Sequence, residues 1–151
     1  MNDPFEPVIL GFCCRWCSYA DADLAGSMRI QYPPNVRIVM IPCTGRIDIL
    51  HLLHAFEKGA DGVLISGCLM GDCHYVSGNK KATKRIAYVK KVLDEIGIEP
   101  ERIEIYYNSS AMGPQFAGSC REFTKRILEI GSIFEEIKPQ GIPDESNRCL
   151  I

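Results

Sequence analysis

The stretch that decides the fold is residues 7–17, Pro-Val-Ile-Leu-Gly-Phe-Cys-Cys-Arg-Trp-Cys, in which an apolar run ends in cysteines. The run carries no charged residue, which is typical of a strand covered on both faces of a sheet. This pattern predicts a first strand at residues 7–12. Apolar or β-branched runs predict further strands at residues 36–41, 62–65 and 102–107. Segments of helical length follow the four strands, at residues 18–29, 48–58, 80–96 and 114–134.

Strands and helices therefore alternate along the chain. Such alternation predicts parallel strands joined by right-handed crossovers. We expect an α/β three-layer sandwich, with a flavodoxin-like parallel sheet of about four strands flanked by helices. In the third helix, apolar residues recur at steps of three and four, which predicts one buried stripe; they are Ala82, Ile86, Val89, Leu93 and Ile96. Residues 1–137 are expected to form one domain and residues 138–151 an extended C-terminal tail.

Composition narrows the classes of function. The 151 residues include 17 basic and 19 acidic side chains, so no overall positive charge favours nucleic acid or an anionic membrane. No uncharged apolar run approaches the ~18 residues of a membrane span, and the first residues lack the features of a signal peptide. We therefore expect a cytoplasmic protein. In that compartment thiols stay reduced, so the 8 cysteines are more typical of metal binding or redox chemistry than of disulfides.

Six of the cysteines follow predicted strands. Cys13, Cys14 and Cys17 follow the first strand, Cys43 follows the second, and Cys68 and Cys73 follow the third. Because the carboxyl ends of parallel strands share one rim of the sheet, these residues are expected to lie close together. An iron–sulfur cluster needs four convergent thiolates, which three loops at one rim can supply. Iron–sulfur ligation is therefore the leading interpretation.

Two other interpretations stay open. Structural zinc accepts the same ligands, although a domain of this size hardly needs a metal to fold. Alternatively, Cys14 and Cys17 form the Cys-x-x-Cys motif of a thioredoxin-like thiol–disulfide oxidoreductase, with one thiolate stabilised by a helix N-terminus. That second interpretation leaves the cysteines after the other two strands unexplained.

The remaining candidates have more ordinary roles. Cys13 and its neighbour should point to opposite faces of the strand, so we expect Cys13 to be structural. Cys120 falls on the apolar stripe of the fourth helix and is expected in the core. Cys149 has no assigned role. His74, beside the last loop cysteine, could bind iron or donate a hydrogen bond to a sulfur, and a supporting role in the loop is favoured.

Four motifs carry a family resemblance: Phe12-Cys13-Cys14-Arg15-Trp16-Cys17-Ser18-Tyr19-Ala20, Tyr32-Pro33-Pro34-Asn35-Val36-Arg37, Ala55-Phe56-Glu57-Lys58-Gly59-Ala60-Asp61-Gly62-Val63 and Gly71-Asp72-Cys73-His74-Tyr75. Over residues 7–134 the chain resembles the delta (iron–sulfur) subunit of methyl-viologen-reducing hydrogenase, the deazaflavin-non-reducing hydrogenase of methanogens. Cys13 is an addition to the pattern of that family.

The resemblance implies a non-catalytic electron-transfer subunit with a 2Fe–2S cluster. It implies that electrons pass from a donor, either the small subunit of a hydrogenase or formate dehydrogenase, to the flavin subunit of heterodisulfide reductase. The whole assembly would perform electron bifurcation in methanogenesis. Carried onto this chain, the resemblance implies that four of five cysteines are the cluster ligands: Cys14, Cys17, Cys43, Cys68 and Cys73.

Overall fold

The computed structural model describes residues 5–133. Four β-strands are present in this range: β1 (Ile9–Cys14), β2 (Val36–Ile41), β3 (Gly62–Cys68) and β4 (Ile103–Asn108). Four α-helices follow them in turn: α1 (Ser18–Ser27), α2 (Ile49–Glu57), α3 (Gly78–Glu95) and α4 (Gly113–Ile130). Short 3-10 helices at Thr44–Arg46 and Pro100–Arg102 precede α2 and β4.

The strands form one parallel sheet in the order β2-β1-β3-β4. This is the order of the first four strands of the flavodoxin-like doubly wound sheet. Ile9 is in register with Val36 of β2 and with Gly62 of β3, so the three strands begin at one level. Their carboxyl ends consequently meet at one rim of the sheet, and the predicted fold class is confirmed.

Two hydrophobic cores cover the two faces of the sheet. On one face α1 and α4 pack against Ile9 and Leu64, with Phe116 and Phe123 fully buried. On the other face α2 and α3 cover the strands, through a core of Leu52, Phe56, Val63, Ile65, Ile86, Val89, Leu93 and Ile103. All seven residues of β3 are buried, as its uncharged sequence predicts. Burial on both faces fixes the sheet as the middle of three layers.

Some details differ from the expectations. Strand β1 continues to Cys14 and β3 to Cys68, so the rim cysteines Cys13, Cys14 and Cys68 belong to the strands themselves. Ile96 is 62% exposed, because α3 ends at Glu95 and the buried stripe ends with it. The expected boundary between residues 137 and 138, the tail beyond it and Cys149 lie outside the described residues.

Arg102, which is 2% exposed, joins elements at the opposite edge of the sheet from the rim, where the strands begin. Its Nε donates to Glu99 Oε2 at 2.6 Å, and its Nη1 donates to the carbonyl oxygens of Asp61 and Gly131. One guanidinium thus joins the start of β3 to the end of α4. Within residues 5–133, no helix combines the length and the apolar character needed to cross a bilayer.

Candidate metal centre

The structure brings five cysteines together at the carboxyl rim. They form one buried cluster of side chains, made up of Cys14, Cys17, Cys43, Cys68 and Cys73. Three loops contribute to it, because β1, β2 and β3 all end at this rim. The convergence that the parallel topology predicts is therefore present, whereas the role of these residues as ligands remains a prediction.

Three of the thiols form a tight group. The Sγ atoms of Cys14, Cys17 and Cys68 all lie within 4.8 Å of one another. Cys68 Sγ is 3.1 Å from Cys17 Sγ and 3.8 Å from Cys14 Sγ. At such distances one thiolate accepts hydrogen bonds from the S–H groups beside it. Its pKa therefore falls, while the pKa values of the thiols that donate rise. Contact with the Cys17 thiol lowers the pKa of Cys14 to about 5.

The same contacts oppose a second ionisation within this group. Contact with Cys14 and burial raise the pKa of Cys17, and burial raises the pKa of Cys68. The backbone N–H of His74 donates to the Cys68 thiol and partly offsets that burial. The group therefore favours a single thiolate unless a cation supplies compensating positive charge.

Cys43 and Cys73 form a second group beside the N-terminus of α3. Burial raises the pKa of Cys43, although Gly45 N donates to its Sγ at 3.4 Å. Burial also opposes ionisation of Cys73, but backbone N–H groups outweigh it and lower its pKa. These donors are at the start of α3 and just before it, in Asn79, Tyr75 and Gly78. The N-terminus of α3 thus stabilises the thiolate form of Cys73.

Two glycines allow the loops to meet at this second group. A Cβ on Gly78 would overlap Cys43 Sγ and would lie 3.2 Å from Cys73 Sγ. A Cβ on Gly45 would lie 2.7 Å from the Cα of Gly78. Only residues without a side chain fit between these backbones. The close approach places the second group of thiols against the backbone of Gly45 and Gly78.

Arg85 fixes the loop that carries Cys43. Its Nη1 donates to the carbonyl oxygens of Gly45 and Ile47 at 2.8 and 2.7 Å. The side chain of Asn79, which is fully buried, donates to the carbonyl oxygens of Cys68 and Leu69. Helix α3 therefore holds the loops after β2 and β3. Neither role was recognisable in the sequence, because both partners are backbone carbonyl groups of distant loops.

The two other cysteines within residues 5–133 lie apart from this centre. Cys13 and Cys120 are fully buried in the core beneath α1 and α4, on the face of the sheet opposite to Cys14. Burial raises the pKa of both thiols, that of Cys120 to about 12. The core position expected for Cys120 is confirmed, and the packing of Cys13 agrees with a structural role.

An aromatic cluster that the sequence did not reveal lies beside the centre, where Trp16 and His74 line a cavity together with Cys17 and Cys68. The ring of His74 stacks on Trp16, with centroids 3.9 Å apart and planes 14° apart. Trp16 Nε1 donates to the hydroxyl oxygen of Tyr75 at 3.3 Å. The His74 ring thus contacts aromatic neighbours, and the contact of this residue with a thiol is made by its backbone N–H. A tryptophan beside Cys17 and a His-Tyr pair beside Cys73 were the available signals.

The residues present fit a cluster of iron and sulfide. Five buried soft donors converge, and each group of thiols resists full ionisation without added positive charge. A metal centre meets both conditions, since it binds thiolates and neutralises them. The same donors also suit zinc, so the type of metal does not follow from the geometry.

Comparison with known proteins finds relatives that are named as iron-sulfur subunits. Over 131 residues the chain is 44% identical to an iron-sulfur subunit of the F420-non-reducing hydrogenase of Archaeoglobus profundus, and the match covers 87% of this chain and 96% of the relative. It is 48% identical over 128 residues to the vhu iron-sulfur subunit of the F420-non-reducing hydrogenase of Methanopyrus kandleri, covering 85% and 97%.

A third relative is much longer. This longer relative is a subunit of the Ferredoxin/F(420)H(2)-dependent CoB-CoM heterodisulfide reductase of Methanosarcina acetivorans. The chain is 45% identical to it over 134 residues, a match that spans 89% of this chain but 17% of the relative. The family model for the methyl-viologen-reducing hydrogenase, delta subunit, matches residues 9–131. The chain therefore belongs to the family of the methyl-viologen-reducing hydrogenase delta subunit.

Proposed function

We propose that this chain is an electron-transfer subunit that carries a 2Fe–2S cluster at the carboxyl rim of its sheet. The observation that carries the proposal is the convergence of five buried cysteine thiols from the ends of β1 and β3 and the loops after β1, β2 and β3. Four of these five are the proposed ligands: Cys14, Cys17, Cys43, Cys68 and Cys73. A cluster held there would supply a centre that accepts and releases one electron at a time.

The chain itself is proposed to supply ligands and tuning rather than catalysis. Hydrogen bonds to cluster sulfurs shift the reduction potential. Donors for this purpose are the backbone N–H groups of Gly45, facing Cys43, and of His74, facing Cys68. In this role His74 supports the ligands through its backbone, while its ring stacks on Trp16.

The proposed partners come from the relatives. Their names include a hydrogenase, which supports a hydrogenase small subunit in the role of electron donor, with formate dehydrogenase as the alternative. A segment of a heterodisulfide reductase polypeptide is 45% identical to this chain. Since related domains in one polypeptide commonly work together, we propose the flavin subunit of heterodisulfide reductase as the acceptor. The assembly would act in the cytoplasm, in the electron bifurcation of methanogenesis.

Metal analysis and spectroscopy of anaerobically purified protein test the proposal. We expect a reddish-brown protein with about two irons and two sulfides per chain, and a paramagnetic signal after one-electron reduction. Colourless protein with zinc would favour the zinc-stapled adaptor. Colourless, metal-free protein that titrates as a dithiol would favour the thioredoxin-like alternative. Either result from an iron-replete preparation would refute the cluster.

A pair of matched variants locates the cluster. Cys68→Ser removes a thiol of the tight group and should lower the iron content and abolish or alter the paramagnetic signal. Cys120→Ser makes the same change at a buried cysteine of the α1/α4 core and should retain iron and signal. Equal iron contents and identical spectra for both variants would place the metal elsewhere.

A further inference from the structure

Exposed cations surround the cysteine rim. Arg46 and Lys81 line a cavity of about 410 Å³ that also reaches Cys43. Lys80 is exposed beside them in the first turn of α3, and the guanidinium of Arg15 lies 5.9 Å from the centre of the Trp16 ring. Against these four cations stand the exposed carboxylates of Asp48 and Asp72, so the rim has a net positive charge, although the whole chain has a net charge of −2.

The opposite edge of the sheet carries acidic side chains. Asp94 and Glu95 are exposed in the last turn of α3, and Glu129 is exposed in the last turn of α4. Neither of these two last turns holds a basic residue. Basic side chains also occur at this edge, at Arg29 after α1 and at Lys58 at the end of α2, but the acidic ones outnumber them. The net charge is therefore negative at this edge and positive at the cysteines.

In α3 this separation opposes helix stability. A helix is stabilised by acidic residues in its first turn and basic residues in its last turn, because its N-terminus is the positive end of the dipole. Helix α3 has the reverse arrangement, with Lys80 and Lys81 at its start and acidic residues at its end. The side chains thus add to the dipole, and the helices direct their positive ends at the rim. Stability of the fold does not account for such a pattern.

The centre of the rim is apolar and rigid. Trp16 and Tyr75 are 47% and 51% exposed, and both are held in place by the stacking and hydrogen bond described above. Val76 is 83% exposed with a φ of 66°, which is strained for a β-branched residue. Strain of this kind at an exposed apolar side chain is typical of functional surfaces. A preorganised apolar centre within a charged rim is the usual anatomy of a protein interface.

The geometry points to the rim as a docking face for one kind of partner: a redox protein whose cofactor is framed by carboxylate side chains. This inference rests on the proposed electron-transfer function and adds the charge of the partner surface. Trp16, Tyr75 and Val76 would contact the apolar centre of that partner, while Arg15, Arg46, Lys80 and Lys81 face its carboxylates. The charge separation would turn the rim toward the partner before contact, which raises association rates.

Small redox ions of opposite charge test the positive rim. The reduced protein is mixed in a stopped-flow instrument with tris(oxalato)cobaltate(III), a trianion, or with hexaamminecobalt(III), a trication. In each reaction one electron passes from the protein to cobalt(III), which becomes cobalt(II). At about 0.01 M salt, where charges act over about 30 Å, we expect the anion to react faster than in 1 M salt. The reaction with the cation should not be faster in about 0.01 M salt than in about 1 M salt.

Two charge-reversal variants supply the matched comparison. Lys80→Glu with Lys81→Glu reverses two of the four cations at the rim, and Lys58→Glu with Lys125→Glu makes the same change in net charge toward the opposite edge. The rim variant should lose at least about tenfold in rate with the anion at low salt, and the control less than about threefold. Equal losses in the two variants would overturn the docking face.

Binding to a protein partner completes the test. The heterodisulfide reductase flavin subunit from the source organism is bound to wild-type protein and to both variants, and the dissociation constant of each complex is measured. We expect at least about tenfold weaker binding for the rim variant only. Unchanged binding in that variant refutes the docking face. Wild-type protein that exchanges no electron with either cobalt complex refutes instead the electron-transfer function on which the inference rests.

Discussion

Gly78→Ala should disrupt the centre without touching a cysteine. The added Cβ would overlap Cys43 Sγ and lie 3.2 Å from Cys73 Sγ, whereas heavy atoms pack best at about 3.5–4.0 Å. The loop cannot retreat easily, because Arg85 holds it through two carbonyl groups. Overpacking of this kind costs about 3 kcal/mol, and helix propensity returns at most about 1 kcal/mol. We expect a net loss of about 2 kcal/mol in the free energy of unfolding.

Urea unfolding of metal-free, reduced protein measures this loss, and iron per chain is measured in protein as isolated. Gly118→Ala is the matched control, because no atom lies within 4 Å of its added Cβ in the middle of α4. The control should gain about 0.5–1 kcal/mol and keep its iron. If Gly78→Ala gained stability like the control and kept its iron, the proposed packing of the loops would be wrong.

Three further changes test other parts of the structure. Arg102→Leu removes the buried guanidinium that joins β3 to α4 and should destabilise the fold by about 3 kcal/mol in urea unfolding; a loss below about 1 kcal/mol would contradict this role. Burial opposes ionisation of Glu104, but Lys90 and Arg126 outweigh it and lower its pKa. Its contribution is therefore present above the unfolded-state pKa of about 4.3 and is lost as the pH falls through the lower folded-state pKa. Glu104→Gln should cost about 1 kcal/mol at pH 7 and nothing near pH 2, and a cost independent of pH would refute the ion pairs. Val76→Gly relieves a positive φ and should leave stability unchanged or raise it by about 1 kcal/mol, while weakening partner binding; lower stability with unchanged binding would show that the side chain serves the fold.

The sequence predicted the layered architecture because two local patterns agree with it. Uncharged strands such as β3 indicate burial on both faces, and the spacing from Ala82 to Leu93 indicates a helix with one buried stripe. The predicted ends of β1 and β3, at residues 12 and 65, fell short of the observed ends at Cys14 and Cys68, since cysteine, Ser66 and Gly67 do not continue the run of large apolar residues. Ile96 was misplaced because periodicity does not show where a helix leaves the sheet.

The grouping of the cysteines could not be predicted in the same way. Parallel topology places their loops at one rim, but it does not separate the three close thiols from Cys43 and Cys73. That division depends on the approach of Gly45 to Gly78, which are far apart in sequence. The stacking of Trp16 on His74 likewise joins two loops whose conformations are fixed by tertiary contacts.

The clamp that Arg85 forms on the Cys43 loop bears on the speed of electron movement. Transfer is fast when atoms around the carrier shift little as its charge changes. Two hydrogen bonds from one planar guanidinium hold that loop at Gly45 and Ile47, and Asn79 holds the start of the loop after β3 at Cys68 and Leu69. An electron arriving at the rim would therefore meet a stiff surrounding with a small reorganisation energy, supplied by a helix that provides none of the five thiols.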